Sequence, residues 1–210
     1  MKTNKKQKPL IPSVKGKFNS ILLFGPPGAG KGTLGKFLSS VGSHFHLSSG
    51  DIFRSLPVDS PAGKIFHKYA LKGNLVPDEV TIEIWHYYVS GLIATNRYQP
   101  KDQLLLLDGI PRTTHQVEIL DPYIDVKKVI VLEVKDQDSL FKRLKKRALI
   151  ERRQDDLDHK VFETRMEVYQ RETAEVLKLY RKDQIARFNG DLKPLEVLRD
   201  VLMKLSKILV

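Results

Sequence analysis

The chain has 210 residues, 41% hydrophobic and 29% charged, ordinary proportions for one globular domain with a full core. With no Cys it excludes disulfides and any cysteine–zinc knuckle, which fits a reducing, cytoplasmic setting, and no apolar stretch approaches the roughly 18 residues of a membrane span. The net charge of +11 suggests a nucleic-acid binder until it is divided: Met1 to Ser20 carries six Lys and no acid, which leaves +5 on the other 190 residues.

That basic start, residues 1–19, holds two Pro and no helical apolar pattern, so it reads as a disordered, solvated tail. It lacks the Arg- and Ser-rich pattern of a transit peptide and the apolar core of a signal peptide. A folded domain is expected over 20–210.

The first element is a short apolar run, Ile21 to Phe24, with the look of a buried parallel strand. Leu34 to Val41 then places Leu34, Phe37, Leu38 and Val41 at helical spacing. Between them stands Gly25-Pro26-Pro27-Gly28-Ala29-Gly30-Lys31-Gly32-Thr33. Strand, glycine-rich turn and helix form the context of a phosphate-binding loop, in which inward N–H groups and a helix N-terminus face an anion and a lysine adds a point charge. Gly32 stands where the general motif has Ser or Thr, and in this form, GxPGxGKGT, the loop resembles that of the nucleoside monophosphate kinases, the adenylate kinases above all. The resemblance implies that Gly28, Ala29, Gly30, Lys31, Gly32 and Thr33 bind ATP.

Next, Phe45 to Arg54 reads as a strand entering a helix, with Ser49 or Asp51 as its cap and Arg54 one turn inside. The string Ser49-Gly50-Asp51-Ile52-Phe53-Arg54 is similar to the family's acceptor-binding element, which implies that Ser49, Gly50 and Arg54 hold AMP. Residues 57–89 read as short helices with breaks. Within them Gly73 to Glu79 resembles the family's adenine-facing wall, with Leu75 and Val76 against the base. Trp85, Tyr87 and Tyr88 read as packing residues rather than a stacking platform.

Leu104 to Leu107 is an all-apolar run ending in Asp108, the pattern of a central parallel strand that delivers a carboxylate to its C-terminal edge. The following Gly109-Ile110-Pro111-Arg112-Thr113 is similar to the family's D-G-F-P-R-T motif, with Ile for Phe. It implies Asp108 organising Mg²⁺ through water, and Gly109 and Arg112 at the acceptor phosphate. Gln116, four residues on, matches the amide that reads adenine in adenylate kinases. UMP/CMP kinases carry Asn directly after the Arg, where Thr113 stands, so AMP is the expected acceptor.

Lys128 to Val134 is a further strand, followed by a helix from about Asp138. Residues 142–153 hold seven Lys or Arg against one acid, and the lysines read as a solvated face. Arg143, Arg147 and Arg153 match the family's lid elements, with a lid too short for a zinc-bearing insertion. A long helix is expected from about Asp158 to Arg181, carrying Arg165. One residue more than the common family spacing separates Asp156 from Arg165. Ile185 to Phe188 gives the last strand, with Gly190 beside the donor adenine. Leu195, Leu198, Val201, Leu202 and Leu205 then form one face of a closing helix.

The pattern predicts an α/β fold of the P-loop NTPase type: a three-layer sandwich around five parallel strands. Two mobile segments are expected to project from it, 51–80 over the acceptor and a short lid at 147–158. The resemblance implies reversible transfer between MgATP and AMP, with Lys31, Arg112, Arg143, Arg147, Arg153 and Arg165 at the transferring group, Arg153 and Arg165 also touching AMP, and a monomer as catalyst. The rival readings are a UMP/CMP kinase and a non-catalytic nucleotide- or RNA-binding protein that uses the basic tail as its arm.

Overall fold

In the computed structural model, which describes residues 16–151, 153 and 156–209, strands and helices alternate along the chain. β1 (Phe18–Phe24) leads through the glycine-rich loop into α1 (Lys31–Val41), and β2 (His44–Ser48) runs directly into α2 (Ser49–Arg54). α3 (Pro61–Ala70) and α4 (Asp78–Ala94) precede β3 (Leu104–Asp108), α5 (Thr114–Leu120) and β4 (Ile124–Glu133). α6 (Gln137–Glu151) and α7 (His159–Val168) follow, then a π-helical turn (Tyr169–Thr173), α8 (Ala174–Val176) and a 3-10 turn (Leu177–Leu179). β5 (Ile185–Asn189) and α9 (Pro194–Leu209) close the fold.

All strand pairs are parallel, in the order β2-β3-β1-β4-β5. Alternate strand residues serve opposite cores. Leu22, Phe24, Leu105, Leu107, Val129 and Val131 pack with Trp85 and Val89 of α4 and Leu120 of α5. Ile21, Leu23, Leu106, Ile130 and Leu132 pack with Leu38 of α1, Leu144 of α6 and Val201 of α9. Helices cover both faces, which is why these strands are unbroken apolar runs rather than polar–apolar alternations. Each such side chain removed from water contributes about 1.5–3 kcal/mol.

The structure corrects several sequence expectations. β1 starts at Phe18, inside the stretch expected to be tail. Phe18 is buried, its N–H donates to Tyr123 O at 2.8 Å, and its ring meets Trp85 and Tyr98 edge-on. Its polar neighbours Lys17 and Asn19 hid this signal, and so did Ser20, which is buried because its hydroxyl donates to Phe18 O at 2.8 Å. The rest of the expected tail, residues 1–15, lies outside the described residues. The cap of α2 is Ser48 rather than Ser49 or Asp51, accepting from Asp51 N–H at 3.3 Å. On α9 the buried stripe is Val197, Val201, Leu205 and Leu209, an i, i+4 series that leaves Leu195 exposed. Tyr87 and Tyr88 are exposed, and only Trp85 of that group is core. The long helix expected after Asp158 is broken by the π turn at Tyr169 and ends at Leu179.

Candidate functional site

Two motifs meet at the C-terminal edge of the sheet because their strands are neighbours. In the register of β1 and β3, Leu23 lies beside Asp108, so the loop after one strand and the carboxylate ending the other share one rim. The loop is built for close backbone approach. Gly28 has φ +84°, and a Cβ there would stand 2.8 Å from Leu140 O, so only glycine fits between the loop and α6. Gly30 caps α1 at φ +96°, turning the chain so that Lys31 starts the helix. Lys31 Nζ folds back over the loop and donates to Gly25 O at 2.7 Å and Pro26 O at 3.0 Å.

The main cleft has a volume of about 660 Å³. Lys31, Arg54, Arg112, Arg143, Arg147, Arg153 and Arg165 all line it, together with Gly28, Ala29, Gly30, Gly32, Thr33, Leu75 and Gly190. Ser49, Val76 and Gln116 line an adjoining side cavity that shares Gly50, Arg54, Gly109, Arg112 and Arg165. Residues from 28 to 190 thus converge on one place, although Ala29 and Val76 are themselves buried.

So much positive charge needs counter-charge, and carboxylates supply it. Asp51 Oδ1 accepts from Arg54 Nη2 at 2.9 Å and from Arg153 Nη2 at 3.0 Å, linking residues 102 apart in sequence. Burial opposes ionisation of Asp51, but Arg54 and Arg153 outweigh it and hold the carboxyl below the usual range. Asp156 is buried and holds two arginines. Arg147 reaches it through Nε at 2.7 Å and Nη2 at 2.8 Å, and Arg165 through Nη1 at 2.7 Å. The extra residue between Asp156 and Arg165 therefore does not prevent their contact. Arg143 Nη1 donates to Gly190 O at 2.7 Å, fixing the turn after β5.

On the other side of the rim, Gly109 O accepts from Ser49 Oγ at 2.7 Å and Arg112 Nε at 2.8 Å. Burial, with Arg165 and Arg54 close by, lowers the Arg112 guanidinium to about 10 against the pull of Asp108. Burial likewise brings Lys31 down to about 8, with Arg112, Arg147 and Arg165 adding to it and Asp108 opposing. Two cations whose charge is disfavoured in the same pocket are matched to a multivalent anion.

Asp108 is buried, and a Cβ on Gly32 would stand 3.4 Å from its Oδ2. Burial raises the cost of its charge, but His46 and Lys31 overcome this and keep the carboxyl below its ordinary range. His46 Nε2 stands 3.7 Å from Asp108 Oδ2, beyond hydrogen-bond length. The sequence reading passed over His46; its signal was Gly35, an interior helical glycine whose Cβ would overlap the His46 ring. Among the described residues no group of three or more His, Cys, Asp or Glu is placed to hold a metal ion. A lone hard-oxygen carboxylate beside a phosphate loop suits Mg²⁺, which keeps water and takes phosphate oxygens as its other ligands.

A parallel sheet with a glycine-rich phosphate loop at its rim, faced by a ring of cations, defines a nucleotide-binding fold of the P-loop NTPase type. The sequence model of adenylate kinase matches residues 23–185. Relatives named adenylate kinase include one from Flavobacterium johnsoniae, 39% identical over 171 residues, covering 79% of this chain and 85% of its own length. Another, from a Synechococcus strain, is 34% identical over 192 residues, 88% of this chain and 94% of its own. A third, from Micrococcus luteus, is 38% identical over 177 residues, 81% and 82%. The chain belongs to the adenylate kinase family, a family of nucleoside monophosphate kinases.

Proposed function

We propose that the protein transfers the terminal phosphoryl group of ATP to AMP, reversibly, giving two ADP. The observation that carries this reading is the set of ten Lys and Arg residues that line one cleft, split between the side of the phosphate loop, with Lys31, and the side of the Gly109–Arg112 turn, with Arg112. That split supports one phosphate-bearing substrate on each side. Lys31, Arg143 and the loop N–H groups would hold the donor phosphates, with Gly190 at the donor base. Arg54 and Arg112 would hold the acceptor phosphate, with Ser49, Gly50 and Gly109 around it and Leu75, Val76 and Gln116 at its base. Arg143, Arg147, Arg153 and Arg165 would face the group in transfer.

The acceptor phosphate is already an anionic nucleophile, so no general base is required. Catalysis is then positioning and neutralisation of charge on a phosphoryl group in flight. Mg²⁺, when bound with ATP, would neutralise phosphate charge, and Asp108 is the residue to hold it through water. Segments 51–80 and 147–158 would close over the substrates and exclude water, which would otherwise hydrolyse ATP. The Asp51–Arg153 contact, which already joins the two segments, supports that reading. The catalyst is taken to be a monomer, and a chain without Cys is suited to the cytoplasm.

The test mixes the protein with MgATP and AMP, CMP, UMP or GMP in turn and follows nucleoside diphosphate formation. Rapid turnover with AMP alone is expected. Preference for a pyrimidine acceptor would refute the assignment of AMP, and no transfer to any acceptor would refute the activity itself.

A further inference from the structure

Gln116 is 2% exposed at the wall of the side cavity, and both ends of its amide are tied. Its Oε1 accepts from Arg112 N–H at 2.7 Å, and its Nε2 donates to Asp78 Oδ1 at 2.7 Å. Neither bond can be reversed, because a backbone N–H only donates and an ionised carboxylate only accepts. Asp78, the first residue of α4, is itself aimed: its Oδ2 accepts from Thr113 Oγ1 at 2.7 Å, while that hydroxyl oxygen accepts from Gln116 N–H at 3.0 Å. A side-chain amide offers two hydrogens and two lone pairs. One of each is used here, which leaves one hydrogen and one lone pair in a fixed order.

We propose that Asp78 is a specificity-determining positioning residue, which locks the Gln116 amide in the one orientation that selects a 6-amino over a 6-oxo purine. The proposal rests on the reading of Gln116 as the amide that faces the acceptor base, and adds how its orientation is enforced. The free lone pair can accept from an exocyclic amino group while the free hydrogen donates to the adjacent ring nitrogen, the adenine pattern. In hypoxanthine the same edge presents a carbonyl acceptor and a ring N–H donor, the reverse order. An amide able to turn over would read either base. Turning it over in this protein breaks the Arg112 bond and also sets Oε1 against the Asp78 carboxylate. Losing the bond to the charged Asp78 carboxylate lowers that state roughly ten- to a hundredfold, and losing the bond from the neutral Arg112 N–H lowers it by roughly two- to tenfold more. Without the carboxylate only the Arg112 bond resists.

The experiment compares kcat/KM for AMP and IMP, with MgATP as donor, in the wild-type chain, Asp78→Asn and Gln116→Leu. Asp78→Asn keeps the shape but gives residue 78 a donor as well as an acceptor. The AMP-to-IMP preference is expected to fall about tenfold or more, chiefly through KM for the acceptor, with ATP affinity unchanged. An equal loss for both acceptors, or no loss, overturns the proposal, since a purely structural role lowers both alike. Gln116→Leu separates the two layers of the argument. If it leaves the preference intact, Gln116 does not read the base and the underlying assignment fails. If it collapses the preference while Asp78→Asn does not, that assignment stands and the lock is refuted. Should Asp78→Asn fail to fold, Thr113→Val releases the second Asp78 oxygen; a preference reduced about threefold supports the lock, and an unchanged one refutes it.

Discussion

Asp156→Asn isolates a single buried charge. In the native protein the carboxylate is fully enclosed, and three charge-assisted hydrogen bonds reach it from Arg147 and Arg165 at 2.7, 2.8 and 2.7 Å. The substitution preserves volume but places an NH2 group against a guanidinium and removes the one carboxylate that Arg147 and Arg165 share. Breaking a buried pair by removing one partner costs about 3–5 kcal/mol. Here the arginine side chains are 31% and 19% exposed, so water recovers part of this, and a loss of roughly 2–4 kcal/mol is expected. At about 2–4 °C per kcal/mol for a chain of this size, the thermal midpoint should fall by roughly 5–15 °C. Both arginines are assigned to the transferring phosphoryl group, so kcat should also fall, by about ten- to a hundredfold. Thermal unfolding by circular dichroism and a coupled ADP assay read the two effects separately. A midpoint within about 2 °C of wild type, with kcat unchanged, would show that the Asp156 cluster neither stabilises the fold nor positions the arginines.

Arg112→Ala removes the buried guanidinium proposed to clamp the acceptor phosphate and should reduce turnover about a thousandfold or more; near-normal kcat would remove it from the site. Lys31, at about 8 in the folded protein against about 10.4 in an unfolded chain, binds fewer protons folded than unfolded across that window. Stability should therefore rise as pH climbs from about 8 towards 10, and phosphate binding, which favours the ammonium form, should draw in about half a proton at pH 8. Calorimetry in buffers of contrasting ionisation enthalpy measures that uptake, and none at pH 8 would contradict the shift. Gly35→Ala sets a helix-propensity gain of about 1 kcal/mol against overpacking of about 1–3 kcal/mol on the nearly enclosed His46 ring. Net destabilisation is expected in urea titration, and a stabilised variant would mean that His46 moves aside freely.

What was legible in the sequence was local chemistry. Leu104 to Leu107 had to be a doubly covered strand because no polar residue interrupts it, and the glycines between strand and helix marked a phosphate loop, in which Gly28 and Gly30 adopt positive φ. Phe18 was missed because one buried aromatic between Lys17 and Asn19 has no period to display. Ser48 and Ser49 stand side by side and either could cap a helix; the choice depends on Gly109, sixty residues away, which takes the Ser49 hydroxyl. The countercharges were the least legible part. Nothing near Arg153 names Asp51, and nothing near Gln116 names Asp78, since such pairs exist only once strands β2 and β3 lie together and the segments fold over them.

Those pairings share one physical design. Arg54 and Arg153 meet at Asp51, Arg147 and Arg165 at Asp156, and Lys31 lies in the field of Asp108. An arginine that reached its working position only when phosphate arrived would lose rotamer entropy and hydration at that moment, and both losses would weaken binding and slow transfer. A carboxylate partner incurs those losses during folding and leaves the guanidinium oriented. The exchange then favours phosphate, which brings more charge and more acceptor oxygens than one carboxylate. Arg153 shares its Asp51 oxygen with Arg54, so an anion that drew either arginine inward would loosen the hold on the other. On the proposed placement of the substrates, an anion on one side of the cleft would then alter the closure of the other segment through the shared Asp51 oxygen, opposed by the second hold that Glu151 has on Arg153 at 2.6 Å.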